Sequence, residues 1–184
     1  MTTQHSMNIL QPRHQICKTD ELSSQQKTDV HSLCSLAYGI DFEPFLQSFN
    51  NSTHVLAYVD DMLLSHALWI TRWLQYDHSL MLRTAYVEAV ATHPDHQHCG
   101  LATSVMSKLQ ASILDFDLGA LSPSDHRWYA RLGWERWEGM LSIRTDEGIL
   151  PTPGEEVMIL RLPNTPPLVL NAPLSAEWRE GELW

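Results

Sequence analysis

Apolar positions along the chain change period several times, and each change predicts an element. Residues 14–22, "HQICKTDEL", read as a first strand. In "SSQQKTDVHSLCSLAYG" the apolar residues Val30, Leu33, Leu36 and Ala37 share one helical face, and Gly39 closes the helix. Ser23 and Gln26 have capping-box spacing at its start. "DFEPFLQSF" predicts a short helix with Pro44 in its first turn. "THVLAYVD" and "MLLSHALWITRWL" are apolar runs parted by Asp60 and Asp61, a hairpin pattern. "SLMLRTAYVEAVAT" is a third long strand, stopped by Pro94. From Gly100 to about Ile113 the pattern turns helical again, with Leu101, Val105, Leu109 and Ile113 on one face. "LGALS" reads as a short buried strand. "SDHRWYARLG" reads as a helix with Ser124 as N-cap and Gly133 as C-cap. "WERWEGM" and "EVMILRL" predict two further strands, and a proline-rich tail from Pro163 ends in "WREGELW".

The order implies an antiparallel front half followed by a β–α–β–α–β back half. Its natural packing is an α/β fold (α+β, mixed sheet) with helices on both faces. The expected organisation is one domain over 1–184, with 163–184 as a C-terminal tail. Hydrophobic residues make up 43% of the chain, a globular value. No run reaches the roughly 18 apolar residues of a membrane helix, and "MTTQHSMNILQPRHQ" lacks the apolar stretch of a signal peptide. No membrane partner and a cytoplasmic location are therefore expected. Cys17, Cys34 and Cys99 are too sparse for a disulfide framework. The net charge of −10 argues against nucleic acid and permits a cationic partner.

The segment "HPDHQHCGLA" (93–102) packs three histidines and a cysteine into one turn. Histidines at 93, 96 and 98 nearly fit metal-ligand spacing, but no second ligand cluster accompanies them. The other reading uses position. The turn lies between a strand and an amphipathic helix, where unpaired N–H groups and the helix dipole suit a phosphate. Gly100 lets a ligand approach the backbone, and Ala102 keeps the first turn uncrowded. That reading expects no metal.

"VATHPDHQHCGLATSVM" resembles the coenzyme-binding motif of the GNAT acetyltransferase superfamily, a strand followed by Gln-x-x-Gly-x-Ala at a helix start. Gln97, Gly100 and Ala102 carry the match. "YVEAVA", "LGALS", "WYARLGWERWEG", "TPGEE" and "EWREGELW" are similar, in order, to the aminoglycoside 2'-N-acetyltransferases. The resemblance implies a V-shaped mixed sheet flanked by helices, and acetyl-CoA as cosubstrate. It also implies a coenzyme site at Val90, Ala91, Thr92, Gln97, His98, Cys99, Gly100, Leu101 and Ala102. A bulge in the strand over 84–92 would free backbone groups for the pantetheine arm, with the Val90 N–H as oxyanion donor.

The same resemblance assigns catalysis to Glu88, as base or ammonium anchor, and to Tyr129, as the acid that protonates the leaving thiolate. It implies substrate contacts at Asp41, Glu88, Ala89, Ser122, Glu155, Glu182 and the Trp184 carboxylate. The partner would be a cationic aminosugar, either a broad-class aminoglycoside or a narrower drug such as kasugamycin. Family precedent adds a homodimer. A GNAT enzyme of peptide amines and a non-catalytic acyl-CoA-sensing domain are the competing functions.

Overall fold

The computed structural model describes residues 11–49, 51–181 and 183–184. β1 (Arg13–Lys18) leads through a short 3-10 turn into α1 (Ser24–Tyr38) and α2 (Glu43–Ser48). β2 (Thr53–Val59), β3 (Met62–Tyr76) and β4 (Leu80–Thr92) follow as a meander. α3 (Leu101–Ser112), β5 (Leu118–Leu121) and α4 (His126–Arg131) come next. β6 (Glu135–Arg136), β7 (Leu141–Thr145), β8 (Gly148–Pro151), β9 (Met158–Arg161) and β10 (Leu174–Glu177) complete the order.

Local chemistry explains the boundaries. The Ser23 side chain caps the Gln26 amide, Gln26 returns the bond, and Gly39 ends α1 at φ 70°. Asp60 and Asp61 both take positive φ, as a two-residue hairpin requires. Several expected limits shift. The first strand stops at Lys18, where Thr19–Glu21 turn. Asp125, not Ser124, caps α4 by accepting from the Arg127 and Trp128 amides. "WERWEGM" contributes only Glu135–Arg136 as strand.

The sheet has the order β6-β9-β5-β4-β3-β10-β7-β8, with β2 and β1 added beside the first half of β3. It is mixed, because β4–β5 and β7–β10 run parallel and the other pairs antiparallel. One core lies under α3 and α4 and includes Val55, Ala67, Val87, Val105 and Leu109. Another lies under α1 and α2 and includes Val30, Leu33, Leu56 and Leu68. The alternation of Val55 with Leu56 and of Ala67 with Leu68 gives the sheet two buried faces. Among the described residues no helix is long and apolar enough to cross a membrane.

β4 and β5 pair only between Thr84–Tyr86 and Leu118–Ala120. Beyond Tyr86 they separate, and the gap between them opens the V of the sheet.

The tail returns to the sheet as β10 and crosses a glycine contact. A β-carbon on Gly139 would lie 1.8 Å from the Ala172 carbonyl oxygen. Gly139→Ala should therefore cost about 2 kcal/mol, the scale of an overpacked contact, and lower Tm by roughly 4–8 °C in calorimetry. Gly154→Ala, with open space around the new carbon, should stay within about 1 °C of the parent. Equal Tm values would mean that the 170–172 segment yields freely.

Candidate active site

The site begins with an irregularity in β4. Its register against β3 jumps between Leu68↔Glu88 and His66↔Ala91, and Ala89 adopts φ +51°. A non-glycine residue in this region stores about 1–3 kcal/mol. The bulge resets the alternation of faces. Val87 and Val90 pack with the α3 side, whereas Ala89 and Ala91 join the α1 side. As a result, Val90 borders two clefts, whereas Glu88 faces one of them.

The first cleft, of about 550 Å³, lies where β4 parts from β5. Val90, Thr92, Gln97, His98, Gly100, Leu101 and Ala102 line it. Gly100 stands at the N-terminus of α3 with φ +83°, no side-chain cap, and no atom within 4 Å of where a β-carbon would be. That is the cradle a phosphate group needs. Two expected coenzyme residues lie off this lining. The Ala91 side chain is buried in the α1-side core because the bulge turned it there. Cys99 is exposed, with its thiol 3.4 Å from the Gln97 carbonyl. Trp128 and Arg131 of α4 line the cleft as well, and sequence reading assigned them nothing. Arg131 supplies the charge that suits an anion. As for the histidines, His93 accepts the Asp95 amide through Nδ1. Among the described residues no three His, Cys, Asp or Glu side chains converge as a metal site.

The second cleft, of about 330 Å³, lies on the α1 side. Glu88, Ala89, Ser122, Glu155 and Trp184 line it, together with an aromatic wall of Tyr38, Phe42, Phe45 and Phe49. Tyr38 and Phe42 stack at 4.6 Å, and Phe42 and Phe45 at 5.0 Å. Val90, Ser124 and Tyr129 line both clefts. The clefts therefore meet at one backbone segment and one phenol. Tyr129 is buried against Trp128 and Trp134. Burial, followed by the Asp125 charge, pushes it further above the ordinary phenol range, so it holds its proton at neutral pH.

The tail closes this second cleft. Buried Arg72 donates to the carbonyls of Glu177 and Leu183, and its guanidinium sits over the Tyr86 ring. Trp184 is 4% exposed, and its indole N–H donates to Thr152 Oγ1 at 2.8 Å. Arg179 reaches Glu88 at 2.6 Å, with both side chains largely buried. Sequence reading missed Arg179, although "EWREGELW" offered the signal: one cation amid acids in an acidic chain. Asp41 departs from expectation. Its carboxylate is exposed beside α2, where hydrogen bonds from His31 and the Glu43 amide hold it below the usual range. Glu182 lies outside the described residues.

A family model described as "Acetyltransferase (GNAT) domain" matches residues 19–137. An aminoglycoside 2'-N-acetyltransferase from Mycolicibacterium fortuitum is 36% identical over 129 residues. That match covers 66% of this chain and 66% of that protein, slightly under two thirds of its length. Among solved structures, Escherichia coli ElaA superposes with TM-score 0.58 at 15% identity, covering 82% of this chain and 100% of that one. A GCN5-related N-acetyltransferase from Anabaena variabilis gives 0.59 at 16% identity, covering 70% and 33%. At these identities the structures establish the shared fold.

The open cradle at Gly100 generates a binding prediction. Gly100→Val should weaken acetyl-CoA binding about tenfold or more in titration calorimetry, since about 1.4 kcal/mol suffices. His96→Ala should change it by less than about threefold, and a chelator should change nothing. Wild-type affinity in the Gly100 variant, or loss on chelation, would remove the phosphate-cradle reading.

Proposed function

The chain belongs to the GNAT acetyltransferase family, and we propose that it transfers the acetyl group of acetyl-CoA to an amino group of a cationic aminosugar. The observation that carries this reading is the meeting of two clefts at Val90, Ser124 and Tyr129. One cleft opens on a helix N-terminus suited to phosphates, and the other combines acids with an aromatic wall. Its likeness to a 2'-N-acetyltransferase supports the aminosugar assignment. The net charge of −10 favours the approach of a polycation.

Acetyl-CoA supplies a thioester, and the residues of the chain manage charge and protons around it. Gly100 and the first amides of α3 hold the phosphates, and β4 runs beside the pantetheine arm. The amine nitrogen attacks the thioester carbon. The Val90 N–H donates to the carbonyl oxygen as negative charge grows there. As the C–S bond breaks, Tyr129 gives its proton to the sulfur. The proton shed by nitrogen passes to Glu88, directly or through water. Arg179 already pairs with Glu88, so this carboxylate is suited to a cation, and the substrate ammonium takes up the same interaction.

The deciding assay is purified chain with acetyl-CoA and a thiol reagent, run against kasugamycin, gentamicin and a peptide amine. Acetylation of either antibiotic with little on the peptide is the expected outcome; peptide activity alone would overturn the proposal. Tyr129→Phe should lower kcat by about 10²-fold with little change in KM. Glu88→Gln should impair both constants, and wild-type rates in both variants would remove these roles. Trp184→Ala removes a docked aromatic from the acceptor cleft. The KM for the aminosugar should then rise about tenfold or more, the equivalent of about 1.4 kcal/mol of lost contact. Acetyl-CoA affinity should be unchanged. Equal KM in the folded parent and variant would take the tail out of the site.

A further inference from the structure

Beneath the bulge runs a chain of buried polar groups that the proposed chemistry leaves unused. His66 Nδ1 lies 2.9 Å from the Ala89 carbonyl oxygen. His66 Nε2 lies 2.9 Å from His54 Nδ1. His54 Nε2 lies 3.0 Å from Ser52 Oγ and 3.2 Å from Thr19 Oγ1. His66 is fully buried and His54 is 3% exposed.

The chemistry of each partner fixes the direction of this chain. A carbonyl only accepts, so His66 Nδ1 carries a proton. Burial disfavours the charged imidazole, and it lowers His66 to about 3 and His54 to about 4. Both rings are thus neutral near pH 7. His66 Nε2 is then bare and accepts from His54 Nδ1–H, and His54 Nε2 in turn accepts from a hydroxyl of Ser52 or Thr19. Cys34 Sγ, at 3.7 Å, is the other titratable neighbour of His66. Burial pushes that thiol up to about 12, so it adds no charge.

The bond to Ala89 matters because of which peptide it holds. The Ala89 carbonyl and the Val90 N–H belong to one peptide unit, and the described chain contains no cis peptide. In a trans unit the two groups point in opposite directions. Fixing the carbonyl toward His66 on β3 aims the Val90 N–H away from β3, toward the gap where β4 has left β5. A bond to the carbonyl also polarises the unit and strengthens the N–H as a donor.

We propose that the Ser52–His54–His66 chain is a positioning device that clamps the Ala89–Val90 peptide in the bulged conformation and so aims the oxyanion donor. This rests on the acetyl-transfer reading above, and neither histidine touches the reacting atoms. Alanine gains nothing of its own from positive φ, so hydrogen bonds must hold the segment. Tyr38 and Ser65 donate to the Val90 and Ala91 carbonyls. Among the side-chain contacts of the described residues, His66 alone bonds the Ala89 carbonyl side of the Val90 N–H peptide.

The test has a spectroscopic and a kinetic arm. With ¹⁵N-labelled histidine at pH 7, the ring nitrogens of the wild-type chain should show both His54 and His66 as neutral Nδ1–H tautomers. An Nε2–H tautomer or a charged ring at His66 would overturn the proposal. In the kinetic arm, His66→Leu should lower kcat for acetyl-CoA with kasugamycin or gentamicin by about a hundredfold, the cost of misplacing a catalytic group. Its KM for the amine should stay within about threefold of wild type. His66→Gln, whose amide can donate to the same carbonyl, should restore kcat to within about tenfold. A folded Leu variant with wild-type kcat, or a folded Gln variant no better than Leu, would overturn the clamp. If the wild-type chain acetylates neither antibiotic, the aminosugar reading fails, and the tautomers decide the clamp by themselves.

Discussion

The separation of β4 from β5 after Tyr86 is the constraint from which the rest of the site follows. Up to that point the strands pair in parallel. Past it, one edge of β4 faces a cleft instead of a neighbour, although β4 continues to Thr92 along β3. An unpaired strand edge inside a sheet is costly unless something covers it. In this fold the N-terminus of α3, the body of α4 and the returning tail surround the opening. Each brings one part of the site: the Gly100 cradle, Tyr129, and the Arg179–Trp184 segment.

The bulge adds a second consequence. In regular alternation Ala89 would share the face of Val87. The inserted residue instead turns Ala89 to the α1 face and returns Val90 to the α3 face. Val90, two residues from Glu88, can then share one cleft with it and line the other as well. The stored strain is small beside the buried contacts on both sides. It is also placed where a hydrogen bond from His66 can hold it.

Much of the fold was legible because local chemistry and tertiary packing agree. Ser23, Gln26 and Gly39 mark both ends of α1, and the two aspartates mark the hairpin. β7, β8 and β10 were not legible. β8 is an exposed edge, and β10 is a buried piece of a proline-rich tail whose short length carries no usable period. In the site, Gln97, Gly100 and Ala102 were reached through the resemblance of the turn to the coenzyme-binding motif, because a glycine at a helix start by itself serves equally for capping or packing. The bulge was likewise expected only through that resemblance, since alanine at positive φ is what propensity argues against. The clamp was invisible for a similar reason: His54 and His66 are twelve residues apart and meet only because β2 and β3 pair. Asp41 was matched by sequence order, which cannot tell a carboxylate lining the cleft from an exposed one such as this.

The tail shows how stability and site electrostatics become one matter. Arg72, 1% exposed, could not remain charged inside the protein without acceptors. The carbonyls of Glu177 and Leu183 provide them, and Glu177 adds a carboxylate at 3.5 Å. Satisfying this one buried cation fixes the backbone on both sides of Arg179. Arg179 is thereby carried to Glu88, where a lone buried carboxylate would itself be costly. The second cleft is thus lined by a carboxylate that folding has already paired with a guanidinium, with Glu155, Trp184 and the aromatic wall of Tyr38, Phe42, Phe45 and Phe49 around it. Because Glu88 and Arg179 share the cost of leaving water, neither can give up the other without a replacement charge. The same tail contacts that satisfy Arg72 therefore also set the charge and the shape of the cleft.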